Sequence, residues 1–472
     1  MAGRTIRRKS KPRSRRLAGA VAICAALIPV YASAETLEAA LAYAYQSNPQ
    51  LNAQRAQVRI RDEGVAQALS GYRPTITGNA SVGAQYQRVV SKSSLTGGRM
   101  VTEGGQVPRS VGLTTTQTLF TGLQTANRTR AAESQVSAER ESLRLMEQTV
   151  LLDAVTAYMN MLRDTAILDL QKRNVEVLRE QLRQTNDRFR VGEVTRTDVA
   201  QAESRLAAAQ SQQLTAESNL TTSRANYRRI IGKDPVSLSP GMPVDRLSPR
   251  ALDLAVSVGR AEHPQVGAAM FGVDVALLNV KIAEGALYPN LVLQGNLQQN
   301  WDPSVGTIEQ FTASAVARLT IPFYQGGAEY ATIRQNKEAV GQARLNVDLI
   351  RDQVRATVVQ SWGQLEAAKS QIQSAQAQVS AAEIALNGVR EEARVGQRTT
   401  LDVLNAQQEL VNARVSLITA QRDRVVASFT LLASVGRLSP VVLKLPTALY
   451  DAQVHYHQVR DQWFGVRTPD GR

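Results

Sequence analysis

The sequence predicts a mainly α-helical protein that also carries amphipathic β-strands, built from one plan of strand pair and long helical hairpin used twice along the chain. Three observations predict it. A short turn occurs as Arg190-Val-Gly-Glu-Val-Thr-Arg-Thr-Asp198-Val199 and again as Arg394-Val-Gly-Gln-Arg-Thr-Thr-Leu-Asp402-Val403, 204 residues later (190 to 394). Before each copy a helical pattern runs without proline for about 69 residues, a rod of roughly 100 Å, too long for a helix inside a globular domain. Before each rod lie two short stretches with period two, the mark of strands with one apolar and one polar face.

The composition narrows the partners. The 472 residues carry 55 Lys and Arg against 41 Asp and Glu. Eight of the basic residues, Arg4, Arg7, Arg8, Lys9, Lys11, Arg13, Arg15 and Arg16, precede an uncharged run over 17–34 that ends in Ala32-Ser33-Ala34. Basic, then apolar, then small-x-small is the order of a secretory signal peptide, residues 1–34, cleaved after Ala34. Its loss leaves a net charge of +6 (55 − 8 − 41), so the high isoelectric point is no argument for nucleic acid. The run approaches membrane-spanning length, but Pro29 and the Ala-x-Ala ending favour cleavage over a retained anchor. The single cysteine, Cys24, lies inside the leader in a poor context for lipidation, which leaves the mature chain without disulfides, thiol chemistry or Cys-ligated zinc. No later stretch reads as a spanning helix, the longest uncharged candidate being 425–436. Insertion into a membrane then requires closed β-structure.

Along the mature chain, Thr36 can cap a first helix that Asn48-Pro49 ends, and the second copy runs to His263-Pro264. Pro49 to Pro74 and Pro264 to Pro289 have equal spacing, bracketing a helix of about 20 residues in each repeat. After Pro74, Ile76, Gly78, Ala80, Val82, Ala84 and Tyr86 alternate with polar residues. A loop over 91–108 leads to a second strand in which Val111, Leu113, Thr115, Gln117 and Leu119 share a face. In the second copy Leu291, Leu293, Gly295, Leu297 and Trp301 share one face of the first strand, and Phe311, Ala313, Ala315, Ala317, Leu319 and Ile321 one face of the second. Tyr86 and Trp301 are placed as membrane-interface anchors or as ordinary strand residues. Each pair ends in a corner, Leu119-Phe-Thr-Gly122 or Phe323-Tyr-Gln-Gly326-Gly327.

The rods carry heptads. Val136, Leu143, Val150 and Ala157 form one seam and Leu168, Val175, Leu182 and Phe189 the next, after a stutter that changes the coil path; the second copy holds Val340, Val347 and Val354, then Ile372, Val379 and Leu386. At the tips, Gly192 and Gly396 supply the positive φ that ends a helix. Thr195 or Thr197, and Thr399 or Thr400, can cap the return helix, and Asp198 and Asp402 put negative charge in its first turn. A return helix of about 34 residues covers half the rod, leaving the proline-bracketed helix to stack end-on above it. Two repeats, 35–245 and 246–440, precede a tail over 441–472 expected to lie on the surface or to be partly disordered. Four strands per chain cannot close a barrel, so the strands must close between chains.

These residues resemble the TolC family of outer-membrane channel-tunnels, the outer-membrane efflux proteins. The resemblance spans about 36–440 and rests on Leu37-Glu-x-Ala-Leu with Asn48-Pro-x-Leu51, Tyr72-Arg-Pro74, the Leu-Phe-x-Gly corner and the two Val-Gly tips. It implies a homotrimer with a 12-stranded β-barrel in outer-membrane lipid and a trimeric α-barrel tunnel through the periplasm of a Gram-negative cell. It implies a passive exit duct for tripartite efflux or type I protein secretion, without cofactors, docked by its tips (Val191, Gly192, Thr195, Val395, Gly396, Thr399) onto a periplasmic adaptor and an inner-membrane transporter of RND or ABC type. It places Asp402 in an acidic ring at the pore entrance, with Asn405 where a second ring is often acidic, and gives Asp198 and Arg398 the tip gating contacts.

The residue types alone read more plainly. Asp198 and Asp402 serve equally as first-turn charges, and Arg398 as a solvated surface cation. No P-loop, dinucleotide turn, Gly-x-Ser-x-Gly or His-Glu-x-x-His occurs, so catalysis is not expected. His263 reads as a helix-end residue. His455-x-His457 lacks acidic or cysteine neighbours in sequence, and metal binding is not expected of it. The competing class is a periplasmic coiled-coil adaptor or scaffold that forms no channel, and the strand pairs discriminate: soluble hairpins would favour it.

Overall fold

The computed structural model describes residues 34–92 and 97–471; the expected leader up to residue 33, with Cys24, lies outside them. Two short helices open the first repeat, α1 (Leu37–Ser47) and α2 (Pro49–Leu69). Thr36 Oγ1 accepts from Ala39 N at the start of α1, and the Asn48 side chain accepts from Gln50 N and Leu51 N at the start of α2. Strands β1 (Thr75–Val82), β2 (Gln85–Lys92), β3 (Arg99–Gln106) and β4 (Arg109–Thr121) follow, then the rod α3 (Gln124–Arg190) and its return α4 (Arg196–Ile231). The second repeat has α5 (Leu252–Glu262), α6 (Pro264–Gly285), β5 (Asn290–Ser304), β6 (Thr307–Thr320), the rod α7 (Ala328–Arg394) and its return α8 (Thr400–Ser434). His263 takes the part of Asn48, its Nδ1 accepting from Gln265 N at the start of α6.

The sheet has the order β1-β4-β5-β6, antiparallel throughout. Its register sorts the side chains. Ala80 lies opposite Val111, Leu113 opposite Leu297, Leu297 opposite Ala313, and Leu291 opposite Leu319, while Thr77 faces Thr114, Thr114 faces Asn296 and Asn296 faces Ser314. Residues directly opposite share a face, so the alternation of all four strands adds up to one apolar and one polar surface. Two expectations are corrected here. Residues 99–106, expected as loop, form β3, which pairs with β2 in a separate hairpin beyond the break at Gly83-Ala84. A bulge between Thr118 and Phe120 brings Phe120, not Leu119, opposite Leu291 on the apolar face, because an extra residue inverts the alternation.

The helices repeat the order of the strands. Towards the sheet, α2 packs on α3, α3 on α6 and α6 on α7; towards the tips, α4 packs on α3, α3 on α8 and α8 on α7. α4 ends where α2 begins, Asn48 Nδ2 donating to the Ile230 carbonyl at 3.0 Å. α8 ends where α6 begins, with Arg437 and Glu262 paired across the joint at 2.8 Å. Two composite rods and two continuous ones result. Val136, Leu143, Val150, Val175, Val340, Val347 and Val354 are buried as heptad positions require, whereas Phe189 at the tip is exposed.

The largest core lies at the waist, where α1, α3, α4 and α8 meet around Leu41, Leu151, Tyr158, Tyr227, Phe429 and Leu432. The chain enters the fold there. Glu35 bridges Leu238, and Tyr158 shares its hydroxyl proton between the Glu35 and Ser239 carbonyls, each at 2.7 Å. The tail carries a helix of its own. It contains α9 (Ala452–Val459), docked on α2, with His455 Nδ1 3.0 Å from the buried carboxylate of Asp62. The acidic neighbour that sequence spacing did not offer His455 is supplied 393 residues away. The α5–α6 stretch, Leu252–Gly285, is also more apolar than a search for uncharged runs reveals, with mean hydropathy 1.6 over an 18-residue window. His263-Pro264 breaks it, and α6 lies between α3 and α7.

Candidate functional site

Both hairpin tips are built alike. Gly192 (φ 78°) and Gly396 (φ 79°) end the rods in the left-handed region. Of the two threonines available in each copy, Thr195 and Thr399 are the caps. Thr195 Oγ1 accepts from Asp198 N at 3.3 Å, while Asp198 Oδ2 accepts from Thr195 N at 2.9 Å and from its hydroxyl at 2.7 Å. The corresponding distances for Thr399 and Asp402 are 3.2, 3.0 and 2.8 Å. These are reciprocal capping boxes. The hydrogen bond to the Thr195 hydroxyl, then that to its backbone N–H, holds the Asp198 carboxyl below its ordinary value. For Asp402 the backbone bond leads, and the charge of Arg398 adds a smaller push.

The other tip charges pair locally. Arg398 Nε donates to Glu392 Oε2 at 2.8 Å, which raises the guanidinium pKa further, and Arg188 meets Glu193 at 2.7 Å. Asp198 and Arg398 are therefore each engaged within their own hairpin. Between the tips lies an open cleft of about 1110 Å³ lined by Thr195, Asp198, Gly396, Arg398 and Thr399. Val191, Gly192 and Val395 stand exposed at the ends of the rods.

Asn405 has a partner that the sequence reading missed. Arg205 Nη2 of α4 donates to Asn405 Oδ1 of α8 at 2.6 Å, beside Leu404, which is buried against Val175, Leu178, Ala202 and Ala209 of the first hairpin. Arg205 is 204 residues before Glu409, so the repeat frame gave no signal of a basic residue there.

A family model described as "Outer membrane efflux protein" matches residues 40–233 and 256–437. The chain belongs to this family. It is 42% identical over 443 residues to the outer membrane efflux protein BepC of Brucella suis, covering 93% of this chain and 94% of that protein. It is 26% identical over 332 residues to the alkaline protease secretion protein AprF of Pseudomonas aeruginosa, 68% of each. The Campylobacter jejuni CmeC outer membrane channel shares the fold, with TM-score 0.73 and 17% identity over 90% of this chain and 89% of that one. As an outer membrane efflux protein, the chain is an exit duct of the Gram-negative outer membrane, a helical tunnel joined to a β-barrel. The strand pairs are parts of one sheet with an apolar face, so the soluble scaffold reading falls.

Proposed function

We propose that three copies of this chain close into one passive duct that carries small molecules out of the periplasm without catalysis. One observation supports the closure: every layer ends in the same two edges. The sheet runs from β1 to β6, the helices near it from α2 to α7, and those near the tips from α4 to α7. β1 follows α2 and α7 follows β6, so each copy offers one continuous edge to the next, and β6 meets the next copy's β1 antiparallel. Unpaired strand edges are not viable in lipid. α7 also bares Leu345, Leu349 and Val359 along its length.

The exposed tips (Val191, Gly192, Val395, Gly396, with caps Thr195 and Thr399) are the docking ends for a periplasmic adaptor and, through it, an inner-membrane transporter. A 42% identical relative named for efflux favours efflux over the protease secretion named for a relative at 26%. At the mouth, Asp402 supplies one carboxylate per chain, while Asn405 presents the Arg205 guanidinium in place of a second carboxylate. Asp198 and Arg398 can link neighbouring chains only by giving up part of their local bonds. The test is single-channel conductance of the purified mature protein in a planar bilayer, with Asp402→Ala alongside. Conductance from a trimeric particle that changes in ion selectivity with Asp402→Ala supports duct and mouth together. Unchanged selectivity returns Asp402 to capping alone, and a folded protein that forms no channel overturns the duct.

A further inference from the structure

The tail reaches the base of the sheet and ends there in an apolar tip. From the His455–Asp62 contact, the chain runs alongside α2 towards the strands until Arg73 donates to the Gln462 carbonyl at 2.7 Å. That is eleven positions along the first repeat, about 16 Å at helical rise. The Arg73 guanidinium stacks on the Trp463 ring, 4.8 Å from its centroid. The chain then reverses at Gly465 (φ 124°), and Asp470 returns to Arg59 at 3.8 Å. At this reversal three apolar side chains stand bare: Trp463 is 64% exposed, Phe464 89% and Val466 100%. Arg73 and Arg467 flank them, with Asp461 the nearest acid in sequence.

Their level in the molecule identifies what covers them. Arg73 is two residues before β1, and all four strand–helix junctions expose aromatic rings: Tyr72, Phe120, Tyr288, and Phe323 with Tyr324. Such rings at the end of an apolar strand face form the girdle of a membrane barrel at the lipid–water boundary. We propose that Trp463, Phe464 and Val466 insert into the periplasmic leaflet of the outer membrane, so that the tail adds a phospholipid-binding loop to this girdle. The occupant is phospholipid because the tip continues a lipid-facing ring and couples apolar side chains to flanking cations, the composition of an interfacial anchor. Held by Arg73, Asp62 and Arg59, the loop is presented to the membrane by the same helix that feeds β1.

The proposal rests on the sheet spanning the membrane, and the test separates the two. The chain has three tryptophans. Trp301, on β5 opposite Arg109 and Glu309, lies at the far end of the sheet. The full mature protein with Trp301→Phe and Trp362→Phe, reconstituted in vesicles of phosphatidylcholine brominated near the headgroup, should lose most of its Trp463 emission relative to unbrominated vesicles. The Trp362→Phe, Trp463→Phe protein reports Trp301 as the barrel control. Quenched Trp301 with unquenched, blue emission from Trp463 would show that protein covers the tip, and red emission that water does; either overturns the proposal alone. Unquenched Trp301 overturns the membrane sheet on which it rests. Should Trp362→Phe disturb α7, Phe464→Cys carrying a bromine-quenched fluorophore gives the same reading in a mature chain otherwise free of cysteine.

Discussion

Gly122→Ala and Gly326→Ala are equivalent substitutions in the two strand-to-helix corners, 204 positions apart, and the structure predicts unequal costs. Both glycines are left-handed, at φ 62° and 71°, so each alanine carries the strain of that conformation, about 1–2 kcal/mol. Gly326 has open space around its missing Cβ. At Gly122 a Cβ would stand 2.3 Å from the Gly285 carbonyl oxygen and 2.8 Å from Tyr288 Cβ. The obstacle is backbone of the other repeat, which cannot rotate aside, so overpacking of about 1–3 kcal/mol adds to the strain. The expected totals are about 1–2 for Gly326→Ala and roughly 2–5 kcal/mol for Gly122→Ala. Loss of the 222 nm helical signal on heating in detergent ranks the variants under identical conditions. Equal midpoints for the two would refute the close approach between repeats, and midpoints equal to that of the unsubstituted protein would refute the strain as well.

Removing a cap should loosen one tip only. Thr399→Ala is expected to cost about 1 kcal/mol of local helix stability, read as faster hydrogen exchange over 400–403 with 196–199 unchanged, and Thr195→Ala should do the reverse. The Asp198 and Asp402 carboxyls titrate lower folded than unfolded, so their contribution is fully present above the unfolded value of about 3.9 and disappears as pH falls through the lower folded values. Pepsin nicking at the tips should therefore stay low down to about pH 4 and rise only below it. Arg205→Ala should leave the duct conducting but shift its reversal potential towards cation preference, while Arg205→Lys, which keeps the charge, should not; equal shifts in both would assign Arg205 to holding α4 against α8.

The parts legible in the sequence were those in which one residue type answers one local demand. Gly192 and Gly396 end rods that need positive φ, and alternation in Leu291–Trp301 or Phe311–Ile321 marks a sheet with two unlike faces. The parts missed depend on partners distant in sequence. β3 holds Glu103-Gly104-Gly105, with no alternation of its own, and is a strand because β2 pairs with it. The bulge at Thr118 to Phe120 is set by how the corner meets β5. α9 is too short to stand alone in water and is held by α2. The candidate site divides the same way: the aspartates were recognisable as first-turn charges, whereas Arg205 meets Asn405 across 200 residues. Whether Asp402 also forms a ring depends on neighbouring copies, which no local pattern encodes.

The two repeats share a frame but have diverged in their faces, and position in the layer explains the divergence. α2 and α6 are equivalent in sequence order, yet α6 is apolar and lies between α3 and α7, while α2 lies at the edge and buries charge. Arg55 of α2 is sandwiched between the Tyr45 and Tyr450 rings at 4.6 and 5.1 Å, and Asp62 is held by His455. Tyr450 and His455 both belong to the tail, which also reaches α3 through Tyr456 and Arg460 at Glu133, so the tail lies across α2 and α3 together. The interior helix α6 is flanked on two sides by rods of its own chain, which bury Val266 and Val280 while Met270 and Leu277 stay exposed. An edge helix must remain soluble until another copy or the membrane reaches it, and buried charge partnered in part by a folded tail meets that requirement without offering a sticky apolar face. A duplication that kept both rods at 67 residues thus left composition free to follow neighbours, and the tail, present once per chain, sets α9 on the first repeat.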